Sequence, residues 1–114
     1  MLHVQNQYQD PHLNINFVRR LVEVDGAKVT LTRKEYELLA ILAQNAGDVV
    51  TRDALLRQVW GYQEGVRTRT LDVHIRRVRK KLAPFTEQYI ETIFGVGYRF
   101  QPPRHRRMEL PAIA

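Results

Sequence analysis

Residues 67–81 hold seven basic side chains (Arg67, Arg69, Arg76, Arg77, Arg79, Lys80 and Lys81) and one acid, Asp72. A guanidinium offers a planar fork of donors that matches phosphate oxygens and the O6/N7 edge of guanine, while an ammonium acts as a point charge toward phosphate. The segment carries a net +6, which is also the net charge of all 114 residues (18 basic, 12 acidic). The rest of the chain therefore sums to zero. A neutral body with one concentrated cationic element is suited to meeting a polyanion at one place.

At 100° per residue the segment sorts into two faces. Leu71, Ile75, Val78 and Leu82 fall within about 60° of one another and form a stripe for the core. Arg69, Val73, Arg76, Arg77 and Lys80 lie opposite, and Thr70, His74, Arg79 and Lys81 lie on the flanks. Arg76 and Arg77 are central enough to reach base edges. Val73, apolar on a charged face, suits a thymine methyl. Asp72 is placed either to pair with Arg76 at i,i+4 or to accept from cytosine N4. Arg69, Thr70, His74 and Arg79 suit phosphates, which position a protein without reading sequence. A merely solvated face would mix its charge signs. This one sets cations three and four residues apart, where each like pair costs a few tenths of a kcal/mol.

Other chemistry finds little support. There is no cysteine, which excludes disulfides and thiolate zinc sites and suits a reducing cytosol. There is no serine either, so neither hydroxyl-serine nor thiol nucleophile exists for His74 to serve. His3, His12, His74 and His105 have no metal-ligand spacing, and no cofactor is expected. Gly95-Val96-Gly97 is too short for a dinucleotide loop and reads as a turn. No apolar run is long enough to cross a membrane, and residues 1–10 do not read as a secretion signal.

The elements that must position the basic segment can be read around it. Leu13, Ile15 and Phe17 alternate with Asn14, Asn16 and Val18, and a second apolar run (Leu21, Val22, Val24) leads into Asp25-Gly26 and then Val29 and Leu31. Asp-Gly between alternating runs marks a hairpin. Leu2 and Val4 suggest a further short strand, broken off by Asp10-Pro11. Thr32-Arg33-Lys34-Glu35 fits a capping box opening a helix with Tyr36, Leu38, Leu39, Ile41 and Leu42 on its apolar face, stopped at Asn45-Ala46-Gly47. Val49-Val50 reads as an extended link. Thr51 caps a second helix with Leu55, Leu56, Val59 and Trp60 inward, and Gly61 ends it. Thr68 is expected to cap the third helix, which runs to about Leu82 before Pro84. Residues 89–94 and 98–100 form a second hairpin. The outline is one α+β domain: an N-terminal antiparallel sheet, three helices and a C-terminal hairpin, the plan of a winged helix-turn-helix. Residues 1–11 read as a linker remnant or short strand, 12–102 as the domain, and 103–114 as a basic, disordered tail containing Arg104 and Arg107.

Several blocks resemble the OmpR/PhoB-type effector domain of bacterial two-component response regulators. They are Leu31-Thr32-Arg33-Lys34-Glu35-Tyr36-Glu37-Leu38-Leu39, Val50-Thr51-Arg52-Asp53-Ala54-Leu55-Leu56, Val59-Trp60-Gly61, the stretch from Arg69-Thr70-Leu71-Asp72 to Leu82, and Gly95-Val96-Gly97-Tyr98-Arg99-Phe100. The resemblance covers about residues 13–100. It implies promoter-DNA binding without enzymatic activity, by tandem protomers on direct repeats, with helix 68–82 in the major groove and wing 89–100 at the minor groove. It implies base contacts from Val73 and Arg77, helped by Thr70, Asp72 and Arg76. Trp60, Arg69, Arg79 and Tyr98 would meet the DNA backbone, and His74, Lys80 and Arg99 join that set. Thr92, Phe94, Gly95, Val96 and Gly97 belong to the wing. Gly61, Tyr62, Gln63, Glu64, Gly65, Val66 and Arg67 would form a loop touching RNA polymerase. A receiver domain taking a phosphoryl group would lie upstream in the full-length protein, which would act on the nucleoid in the bacterial cytoplasm. One position departs from the pattern. Where the family often has Arg or Lys before the wing's first glycine, this chain has Phe94, which predicts a weaker electrostatic hold on the minor groove. Two rival functions fit the residues less well. An interaction-only winged helix has no use for seven clustered cations, and an RNA-binding module would show stacking aromatics on the basic face, which has none.

Overall fold

The computed structural model describes residues 6–83 and 89–102. The N-terminal layer is a four-stranded antiparallel sheet in the order β1 (Gln7–Gln9), β2 (Leu13–Asn16), β3 (Leu21–Val24), β4 (Ala27–Val29). Strand periodicity decides which face is buried. Leu13 and Ile15 of β2 and Val22 and Val24 of β3 point into the core, while the residues between them stay partly exposed. Asp25 and Gly26 both take positive φ (50° and 82°), as the two-residue turn between β3 and β4 requires. β1 is polar, and its alternation escapes a hydrophobic reading. It nevertheless pairs in register with β2 (Tyr8 opposite Ile15), so the folded unit begins before residue 12. Leu2, Val4, Pro84 and the 104–107 cluster lie outside the described residues.

Helix α1 (Arg33–Gln44) starts on the expected capping box: Thr32 Oγ1 accepts from the Glu35 amide, and Glu35 Oε1 accepts from the Thr32 amide at 2.9 Å. Leu38, Leu39 and Leu42 are fully buried. Val49-Val50 is more than a link. It belongs to β5 (Val49–Thr51), whose partner is the last strand among the described residues. Thr51 caps α2 (Arg52–Leu55), which runs on as a π-helical turn (Leu56–Trp60) closed by left-handed Gly61. Lys34 Nζ donates to the Val59 carbonyl at 2.7 Å, which satisfies an acceptor in that widened turn.

Helix α3 (Thr70–Lys81) follows an exposed loop. Its N-cap is Arg69 rather than Thr68. Thr68 sits one residue further out, where its hydroxyl still accepts from the Thr70 amide at 3.1 Å. The predicted stripe is buried throughout: Leu71, Val78 and Leu82 at 0% exposure and Ile75 at 1%. Arg79, Lys80 and Lys81 occupy the last turn, where the helix dipole favours cations.

The C-terminal layer is a three-stranded antiparallel sheet in the order β5, β7 (Gly97–Phe100), β6 (Ile90–Ile93). Gly97 is a strand residue rather than part of the turn. A Cβ there would stand 2.0 Å from the Val50 carbonyl oxygen, so β5 and β7 meet at a distance no side chain tolerates.

Asp10 joins the two layers. Its carboxylate accepts the Tyr8 hydroxyl at 2.6 Å and the Tyr89 hydroxyl at 2.9 Å, together with the amides of His12 and Leu13. Tyr89 in turn stacks on Phe100, and Tyr8 meets the same ring edge-on. Burial alone would raise the Asp10 pKa, but these four hydrogen bonds outweigh it and hold the carboxyl below its usual range. A depressed folded value means that the stabilisation is complete above about pH 4 and is lost as pH falls through that folded value. Asp10→Asn should lower unfolding free energy by about 1–3 kcal/mol near neutral pH. The gap from wild type should narrow steadily in acid, as read by urea denaturation at a series of pH values.

Candidate nucleic-acid interface

The sequence folds so that α3 offers its charged side to solvent. Arg69, Arg76, Arg77 and Lys80 are exposed, as is Arg67 just before the helix, while Thr70, Val73 and His74 are half-buried. Among the described residues none of these five cations makes an ion pair with a carboxylate. An open recess of about 430 Å³ between the start of α2 and the loop is lined by Arg52, Arg67, Thr68 and Arg69, a cationic hollow of a size for phosphate groups.

The other two cations of the segment are used inside the protein. Lys81 Nζ donates to Glu35 Oε1 at 2.7 Å, and Glu35 is only 2% exposed. Burial opposes the charge on Glu35. Hydrogen bonds from Lys81 and from the Thr32 amide overcome it and keep the carboxyl below its ordinary range. The same carboxylate thus caps the start of α1 and fixes the end of α3. Arg79 turns to the hairpin. Its guanidinium donates to the Ile90 carbonyl at 2.7 Å and the Thr92 hydroxyl at 2.8 Å, and lies 5.8 Å from the centre of the Tyr98 ring. Arg79, expected at a DNA backbone, is half-buried and forms the strut between α3 and β6.

Asp72 is also committed, but not to Arg76. Its Oδ1 accepts from Arg52 Nη1 at 2.7 Å and from the Tyr98 hydroxyl at 2.5 Å. The Arg52 hydrogen bond comes first among the causes that hold the Asp72 carboxyl below its usual value; partial burial works against it and Tyr98 reinforces it. Tyr98 itself is 6% exposed. Burial and the Asp72 carboxylate push its phenol up to about 12. Arg52, Asp72 and Tyr98 therefore lock α2, α3 and β7 together. Arg99 pairs with Glu91 across the wing at 2.7 Å, which cancels its charge. Trp60 packs edge-on against His74 with ring centroids 4.9 Å apart, and His74 Nδ1 lies 2.8 Å from the Thr70 carbonyl oxygen. Of the residues expected at a DNA backbone, Arg69 and Lys80 are the ones left exposed and without an ion-pair partner among the described residues.

The wing tip spans residues 94–96. Its backbone is held by Val96 N–H to the Ile93 carbonyl (2.9 Å) and by Arg52 N–H to the Val96 carbonyl (3.1 Å). Gly61, Gln63, Glu64, Gly65, Val66 and Arg67 are exposed, and Tyr62 is half-buried against the core. No group of three or more His, Cys, Asp or Glu among the described residues could hold a metal ion.

Residues 26–100 match the family model described as "Transcriptional regulatory protein, C terminal". The chain belongs to this OmpR/PhoB-type effector family. It is 49% identical over 87 residues to the uncharacterized transcriptional regulatory protein YclJ of Bacillus subtilis, a match covering 75% of this chain and 38% of that one. Among solved structures it resembles the response regulator DrrB of Thermotoga maritima, an OmpR/PhoB homolog (TM-score 0.77, 38% identity, 86% of this chain and 45% of that one). It also resembles the Klebsiella pneumoniae RstA DNA-binding domain in complex with the RstA box (TM-score 0.76, 35% identity, 85% and 98%). The chain spans well under half the length of the curated relatives it matches. Within this winged-helix effector fold, sequence reasoning missed Arg52 as the partner of Asp72, Glu35 as the partner of Lys81 and Glu91 as the partner of Arg99. No local spacing signal points to the first two, because each pair joins different elements.

Arg79→Ala should remove the donors from Ile90 and Thr92 while leaving the core stripe intact. Amide exchange at residues 90–93 is expected to speed by about tenfold, with α1 amides unchanged. Hydrogen exchange followed by mass spectrometry checks it.

Proposed function

We propose that the chain is a non-catalytic DNA-binding output domain that regulates transcription, laying α3 in the major groove of duplex DNA with the wing against the adjacent minor groove. One observation carries the reading. Five cations on or just before α3 are unpaired among the described residues, and the opposite face of the same helix is completely buried. A helix of this width enters the roughly 12 Å major groove of B-form DNA. In that pose Arg76 and Arg77 meet base edges, with Val73 and Thr70 beside them. Arg69, Lys80 and the Arg52–Arg67–Thr68 recess meet phosphates. Asp72, Tyr98 and Arg79 act as positioning residues that fix the wing relative to α3.

The family context supports a larger setting. The domain would be the output half of a response regulator with a receiver domain upstream, acting on the bacterial chromosome in the cytoplasm, with tandem protomers on direct repeats. The exposed loop 61–67 is where RNA polymerase would be met.

Counterion release sets a quantitative expectation. If the five unpaired cations each neutralise one phosphate, log K should fall with log salt at a slope of about −4 to −5. Fluorescence anisotropy with a labelled duplex measures it, and a slope near zero rejects the electrostatic account. Arg77→Ala should narrow the preference for a selected site over random duplex by about 1–3 kcal/mol, while Lys80→Ala weakens both alike. Equal behaviour of the two variants would overturn the division into base-reading and phosphate-binding residues.

A further inference from the structure

Phe94 is 90% exposed at the tip of the wing, and Val96 beside it is 45% exposed. A lone exposed apolar side chain is ordinary, but here two stand close together on a rigid mount. This mount is rigid. The last paired residues of the hairpin are Ile93 and Gly97, and Gly97 also ends the pairing with β5 opposite Thr51. Residues 94–96 therefore project beyond both strand ladders, with Val96 held at both its amide and its carbonyl. Gly95 takes φ 77° and has no atom crowding the position of a Cβ, so the tip ends in open space. A shallow recess of about 240 Å³ behind it is lined by Phe94, Val96, Arg52, Asp72 and Tyr98. The tip thus stands next to the first turn of α3 and the clamp that fixes it.

Resting on the DNA-binding reading above, we propose that Phe94 is an apolar wedge that enters the minor groove beside α3, presses its ring against sugars and a base step, and selects sequence through the ease with which that step unstacks. Three features of the surface favour DNA as the occupant. Exposed Arg69 and Arg76 stand three and four residues from Asp72 along α3, one helical turn from the clamp, and draw a polyanion there. The charges nearest the tip are mutually cancelled, since Arg52 pairs with Asp72 and Arg99 with Glu91. The tip therefore gains little from phosphate and offers surface mainly to apolar groups. Minor-groove proteins commonly use Phe in this way, inserting it between base steps to unstack them partly and kink the duplex toward the major groove. Pyrimidine–purine steps such as TA unstack most readily. The side chain has only two rotatable bonds and a fixed backbone, so little ordering is lost on insertion.

The test uses the full chain and a duplex selected by the wild-type protein from a random pool, its wing-side flank then rebuilt with a TA, an AA or a GC step. Wild type should prefer TA over GC by about tenfold and should unstack the step, read as a rise in 2-aminopurine fluorescence there. Phe94→Ala should lose about tenfold in affinity on the TA duplex, lose the step preference and the fluorescence rise, and keep the same salt slope. Phe94→Arg should recover affinity with a steeper slope and a preference for the AA flank. The substitution sits in open solvent, and an unchanged melting temperature verifies that the fold is retained. If Phe94→Ala binds every flank like wild type, the wedge is overturned while the DNA-binding reading stands. A loss seen only on duplexes with two sites overturns it in favour of a contact between copies. Failure of wild type to bind any duplex overturns both.

Discussion

Four apolar side chains removed from water hold a helix that its own charges push apart. Leu71, Ile75, Val78 and Leu82 are at most 1% exposed. Burying each contributes about 1.5–3 kcal/mol, an upper estimate because the unfolded chain already hides some surface. The like-charge neighbours on the other face (Arg76 with Arg79 and Lys80, Arg77 with Lys80 and Lys81) cost about 0.2–0.5 kcal/mol each. Burial wins by several-fold, so the domain carries a concentrated cationic surface without outside help. Two of those cations also ease the strain by turning inward, Arg79 to the carbonyl of Ile90 and Lys81 to the carboxylate of Glu35.

The inward turns divide the basic segment into two kinds of residue that sequence alone cannot separate. Arg76 and Arg79 are the same amino acid three positions apart, yet the first is exposed and the second braces a strand. What decides is the neighbour: β6 passes the flank where Arg79 lies and offers an acceptor, and Arg76 stays exposed at the centre of the face. Asp72 follows the same logic. Taken as a local helix residue it belongs with Arg76, but Arg52 approaches from the preceding helix and donates to it at 2.7 Å, and Tyr98 closes from the wing.

What was legible in the sequence is what local chemistry dictates. The Thr32–Glu35 capping box, the Asp25-Gly26 turn, the buried stripe of α3 and the order sheet, helices, hairpin all follow from spacing within a few residues, and the family resemblance fixed the rest of the plan. What was not legible depends on partners far along the chain. Lys81 finds Glu35 across 46 residues, and Tyr89 finds Asp10 across 79. β5 looked like a link because the strand that completes it lies at the other end of the domain. β1 lies in the stretch that reads as a linker remnant or short strand; its side chains are polar, and backbone pairing with β2 makes it a strand. Gly97 read as a turn glycine, whereas its lack of a Cβ serves the close approach to Val50.

That close approach has a bearing on how such a domain diversifies. Where two main chains touch, the angle between hairpin and body is set by backbone geometry, and no choice of side chain at that spot can re-aim it. Variation is left to Phe94 and Val96 beyond the seam, on either side of a glycine held by its positive φ, and these two can exchange charge for grease or bulk for reach without disturbing the mount. The seam behind Phe94 thus separates inheritance from novelty: one part of the hairpin is constrained by the fold, and the other is free to follow whichever duplex it must hold.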